Sequence, residues 1–153
     1  MSSKVFNNFA IGSLLLVFLA MQANCHEQLV SDICLRCICE SLTGCNLAKV
    51  CDHVACGLFH ITRGYWAHAG KPTIEGESSE SSTAYSNCAN DPYCAAETIQ
   101  NYMKAFGRDC NGDNQINCHD YAAIHQLGPY GCQDGIYGPF AFKLNQCLRA
   151  NGQ

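Results

Sequence analysis

Apolar residues recur at helical spacing in four stretches of the chain. The clearest begins at Asn90 or Asp91, either of which can cap a helix, with Pro92 at the first helical position. Ala95, Ile99, Tyr102, Met103 and Phe106 then fall on one face, and Gly107 stops the run. The Met and aromatic stripe reads as core. A shorter helix is predicted over Asp120–Leu127, ending at Gly128, and another over Pro139–Leu148, with Phe140, Leu144, Cys147 and Leu148 in phase. Upstream, Ser31 or Asp32 caps a short helix that carries Ile33, Cys34, Cys37 and Ile38 on one side and ends near Gly44. Gly57–Ile61 (GLFHI) is apolar and reads as a short strand. Lys71–Tyr85 is Ser- and Glu-rich without periodicity, a solvated loop. The expected class is α+β, mostly helical, with one short β element.

The one uninterrupted apolar run, Phe9–Met21, has a different meaning. It follows a short segment carrying Lys4 and is too short to span a bilayer comfortably, so residues 1–25 read as a secretory leader and 26–153 as a single secreted domain. No second such run occurs, so the mature protein is expected to have no membrane span. Small-residue cleavage sites follow Ala23 and Cys25. The second leaves an even twelve of the 13 cysteines; a free Cys25 or an intermolecular bridge is the alternative.

Six cysteines crowd into Cys34–Cys56, and at this density a secreted chain reads as a disulfide scaffold. Cys34-x-x-Cys37 lacks a second matched pair at zinc-knuckle spacing. Removing Lys4 with the leader leaves eight Lys and Arg against 13 Asp and Glu, a net charge near −5. Such a chain gains nothing electrostatically from polyanions, so no nucleic-acid partner is expected.

Four motifs in order, CLRCICE…GC, CGLFHITRGYW, YSNCANDPYCAAETIQNYM and HQLGPYGC, resemble the invertebrate-type lysozymes, or destabilase family, over about Cys34 to Cys147. The resemblance implies a small disulfide-rich lysozyme-like domain with bridges Cys34–Cys118, Cys37–Cys147, Cys39–Cys45, Cys51–Cys56, Cys88–Cys94 and Cys110–Cys132. It also implies a glycoside hydrolase acting on the β-1,4 linkages of bacterial cell-wall glycan, in defence or digestion, with no required cofactor.

Such chemistry uses two carboxyls, one protonated to donate to the leaving oxygen and one ionised to attack or stabilise. Counting from Cys37 and Cys39 to Gly44 and Cys45 without a gap puts Leu42 at the family's acid, and the shortened Cys51–Cys56 loop puts Val54 at its Asp. The nearest carboxyls, Glu40 and Asp52, are therefore the candidate acid and nucleophile. Glu40 stands about 200° around a helix from Leu42. The alternatives are a catalytically silent peptidoglycan- or glycan-binding protein, or an isopeptidase-like relative that uses a Ser with a basic partner. For the last, the family's Lys is replaced by Thr62, with Arg63 next, while His125 matches the family's His and is the third candidate catalytic residue.

Independently of the resemblance, Asp109–Asp120 follows a calcium-loop pattern, with Asp109, Asn111, Asp113, Gln115 and Asp120 at the ligand positions and Asn114 where a Gly is usual. A structural Ca²⁺ is the resulting expectation; the alternative is an Asx-rich turn held by disulfides.

Overall fold

The structure, a computed structural model, describes residues 28–153 apart from Lys49. The leader, its cleavage site and Cys25 lie outside the described residues.

Among the described residues six α-helices build the domain. They are α1 (Asp32–Leu42), α2 (Arg63–His68), α3 (Ala84–Asn90), α4 (Pro92–Phe106), α5 (Cys118–Gly131) and α6 (Gly138–Ala150), with a 3₁₀ turn at Cys132–Asp134. Local chemistry accounts for most starts. The Ser31 hydroxyl accepts the Cys34 N–H at the head of α1, and the Asp91 carboxylate accepts from Tyr93 and Cys94 at the head of α4. Asn117 and Asp120 form a reciprocal capping box that starts α5 at Cys118, two residues before the predicted start. Gly128, at φ 75° and ψ 169°, breaks the helical path as expected, and a further turn through Pro129 runs on to Gly131.

α1 packs chiefly on α6, while α4 is the central strut, touching α2, α3 and α5. The core between them holds Val30, Ile38, Ile61, Ile99, Met103, Ile124, Leu144 and Leu148, all essentially without solvent contact. Among the described residues six disulfides brace the domain: Cys34–Cys118, Cys37–Cys147, Cys39–Cys45, Cys51–Cys56, Cys88–Cys94 and Cys110–Cys132. The first two fasten successive turns of α1 to α5 and to α6.

Three segments differ from expectation. Gly57–Ile61 is a tight turn and not a strand; its β character is one antiparallel bridge between Cys56 and Ile61. Gly57 (φ 72°) and His60 (φ 53°) take left-handed conformations that fold the chain back on itself. Gly57 also sits so tightly against α3 that a Cβ there would lie 1.8 Å from the Ala89 carbonyl oxygen. Two helices were not anticipated. α2 is only six residues long, and α3 begins inside the segment read as a loop. The rest of that loop is tied down: the Trp66 indole donates to the Pro72 carbonyl, and the Glu77 carboxylate accepts from Thr83 and Asn87.

Candidate active site

The turn Gly57–Ile61 is where α1, α3 and α5 meet, because its carbonyls lie against a side chain at or near each of them. The Thr43 hydroxyl, at the end of α1, donates to the Leu58 carbonyl at 2.7 Å. His125 Nε2 on α5 lies 2.9 Å from the Phe59 carbonyl, and the Tyr85 hydroxyl on α3 donates to the Ile61 carbonyl at 2.7 Å. The Cys51–Cys56 loop leads directly into this turn, and there His60 Nε2 lies 3.1 Å from Asp52 Oδ2.

Asp52 stands at this junction through His60, Glu40 lies on α1, and both carboxylates act as acceptors. Glu40 Oε1 takes a hydrogen bond from Arg36 Nε at 2.8 Å, one turn back along α1 on its solvent side. A general acid must bring a proton to the leaving oxygen, and this oxygen is engaged with a guanidinium N–H. Leu42 instead packs against the core. The helix thus separates the Glu40 and Leu42 side chains as its geometry requires. Asp52 Oδ1 accepts the Val54 and Ala55 backbone N–H groups at 2.8 and 2.9 Å, an Asx turn that holds the shortened loop, while Oδ2 faces His60. Val54 is 70% exposed.

His125 is occupied at both nitrogens. Nε2 can only donate to the Phe59 carbonyl, so Nδ1 carries the lone pair and accepts from the Tyr65 hydroxyl at 3.3 Å. Burial, joined by Tyr102 nearby, holds the Tyr65 phenol well above its usual value, so it remains a donor. Burial also lowers His125 to about 4; the Phe59 carbonyl opposes this and nearby His60 adds to it. The Ser41 hydroxyl is spent on the Cys37 carbonyl at 2.6 Å, and the Arg63 guanidinium lies over the Tyr85 ring. The arrangement therefore does not form a nucleophile-and-base pair from Ser41, Arg63 and His125.

The depressed His125 value makes a prediction. The unfolded imidazole titrates near 6.5 and the folded one near 4. Between these values the unfolded chain binds more protons, so stability is complete above about pH 6.5 and is lost as pH falls, by about 2 kcal/mol at pH 5. Thermal melts between pH 7.5 and 5 should show this limb, and His125→Gln should flatten it. An equally steep limb in the variant would place the proton elsewhere.

The calcium pattern is not assembled into a site. The Asp109 carboxylate accepts from Gly112 and Asn114 N–H, Asn111 Oδ1 from Asp113 N–H, and Asp113 Oδ1 from Gln115 N–H. Asp120 is turned into the core, where its two oxygens take the Cys110 and Asn117 N–H groups. Among the described residues no group of three His, Cys, Asp or Glu side chains could hold a metal ion. Asp109, Asn111, Asp113, Gln115 and Asp120 lie in a turn braced by side-chain to backbone hydrogen bonds.

Sequence reasoning missed His60 and Tyr65. His60 was absorbed into an apparent strand. Tyr65 lies in a helix too short for a periodic signal, although Thr62, whose hydroxyl caps the Tyr65 N–H, marks its start.

Comparison with known proteins agrees with this architecture. The Destabilase family model matches residues 31–147. A lysozyme of Magallana gigas is 36% identical over 123 residues, covering 77% of this chain and 80% of that protein. Invertebrate-type lysozyme 3 of Caenorhabditis elegans is 35% identical over 105 residues, covering 65% of this chain and 73% of that protein. Among solved structures, Meretrix lusoria lysozyme in complex with Aeromonas hydrophila PliI superposes with a TM-score of 0.59 at 29% identity, covering 80% of this chain and 92% of that one. With the family model spanning nearly all described residues, and the helices and six disulfides arranged as above, the chain belongs to the destabilase family, the invertebrate-type lysozymes.

Proposed function

We propose that the protein is a secreted, lysozyme-type protein directed at the β-1,4-linked glycan of bacterial peptidoglycan, in defence or digestion. It binds this glycan and hydrolyses it far more slowly than a lysozyme with both carboxyls in place. Family membership supports the glycan as target. The observation that carries the slow chemistry is the state of the two carboxylates: Glu40 is held by Arg36, and Asp52 caps its own loop. Neither is arranged to deliver a proton across a glycosidic bond, and Leu42 and Val54 supply no carboxyl in their place.

The test combines retention and turnover. The purified protein should sediment with insoluble peptidoglycan and release reducing ends at a rate on the order of 10² to 10⁴ below that of Meretrix lusoria lysozyme, the usual cost of losing a positioned general acid. Glu40→Gln should leave the residual rate unchanged. A rate matching the Meretrix enzyme and abolished by Glu40→Gln would make Glu40 the acid. Failure to sediment with peptidoglycan would remove the glycan reading itself.

A further inference from the structure

Aromatic side chains cluster beside the turn. The His125 and Tyr65 rings meet edge to face with centroids 5.1 Å apart, and Tyr65 stacks on Tyr102 at 3.7 Å. Tyr102 in turn meets the Phe106 ring at 4.6 Å. Tyr130 lies at the end of α5, the helix that carries His125, and stands at the surface. Its side chain is 86% exposed, and the Arg108 guanidinium lies 5.7 Å from its ring centroid.

This pairing has the chemistry of an acidic-sugar contact. An exposed phenol ring offers an apolar face and a polar tip at little conformational cost, and a sugar ring presents C–H groups that suit such a face. Arg108 over the ring holds it by a cation–π contact. Its fork of N–H donors matches a carboxylate in two bonds. Arg36 and Lys71 are tied to Glu40 and Glu80, whereas Arg108 has no carboxylate within ion-pair distance among the described residues. In a chain of net charge −4, general attraction for an acidic polymer is absent, so a carboxylate must be recognised by a local cation.

We propose that Tyr130 and Arg108 form an outer subsite for an acidic amino sugar of the wall glycan, with a muramyl ring stacked on Tyr130 and its lactyl carboxylate bound by Arg108. The proposal rests on the glycan reading above. It adds a preference for carboxylate-bearing sugar over neutral sugar of the same length.

Calorimetric titration with a peptide-free GlcNAc–MurNAc tetrasaccharide, and with chitotetraose as its neutral counterpart, tests both halves. Wild type should bind the muramyl ligand more tightly. Arg108→Gln should weaken the muramyl ligand roughly tenfold, the scale of one charge-assisted contact, and leave chitotetraose unchanged. Arg108→Lys should recover part of the loss. Tyr130→Ala should weaken both ligands, and near-UV circular dichroism checks that the fold is kept. If Arg108→Gln weakens both ligands equally, Arg108 only holds the ring and acid recognition is wrong. If neither variant changes binding while wild type sediments with peptidoglycan, the subsite is rejected and the glycan reading stands. Wild type that binds neither tetrasaccharide nor peptidoglycan overturns both.

Discussion

Leu42→Glu and Val54→Asp, made together, should raise the rate of cell-wall lysis by about 10² to 10⁴. The two sites differ in the way the chemistry requires. Leu42 is half-buried against the core at the end of α1, in contact range of the turn through its neighbour Thr43. A carboxyl there is penalised for ionising, which is the condition for a proton donor at neutral pH. Val54 is 70% exposed, so a carboxylate there stays solvated and ionised, as the partner anion must. Each single variant should do little, since the donor and the anion act on the same transition state. Release of reducing ends by the folded double variant is the measurement. No gain in a variant with native circular dichroism would mean that the two positions do not face one sugar.

Full reduction should unfold the protein at room temperature. The chain closes loops of 84 and 110 residues through Cys34–Cys118 and Cys37–Cys147, and a chain-entropy account credits bridges of that length with about 4 to 5 kcal/mol each. Net stability of a domain this size is about 5 to 15 kcal/mol. The loss of those two alone is therefore comparable to the whole margin, before the other four are counted. Both long bridges hold α1, whose contact with α6 is the most extensive between helices, so their loss releases the element that closes the core. Far-UV circular dichroism melts with and without reductant, with thiol titration to prove reduction, decide the matter. An unchanged midpoint would show that helix packing suffices.

What could be read from the residues divides along a physical line. Elements governed by neighbours in sequence were legible: Ser31 and Asp91 announce their helices through caps that the structure contains, and Gly128 breaks its helix where a left-handed residue must. Elements governed by distant contacts were not. GLFHI has the composition of a strand, yet it turns because Gly57 packs against the Ala89 carbonyl and His60 accepts a left-handed conformation facing Asp52. The long cysteine pairings came from the family resemblance, since spacing alone leaves them undetermined. At the site, sequence supplied the residues but not their partners. His60 as the partner of Asp52 is visible only once the chain is folded. In the Asp109–Asp120 loop, likewise, counting oxygens along the sequence does not show which backbone N–H groups they accept from.

The order of bridges along the chain also bears on how the protein is made. Cys39–Cys45, Cys51–Cys56 and Cys88–Cys94 join near neighbours and can close as soon as each segment emerges. Cys37 must wait for Cys147, 110 residues later, which at roughly 5 to 20 residues per second is about 6 to 20 s of synthesis. During that interval Cys37 stands as a thiol beside Cys39, while Cys34 waits only for Cys118, 84 residues on. Correct pairing then depends on keeping Cys37 reduced, or on reshuffling it, until α6 arrives; a truncated chain that ends before α6 carries a Cys37 without its partner.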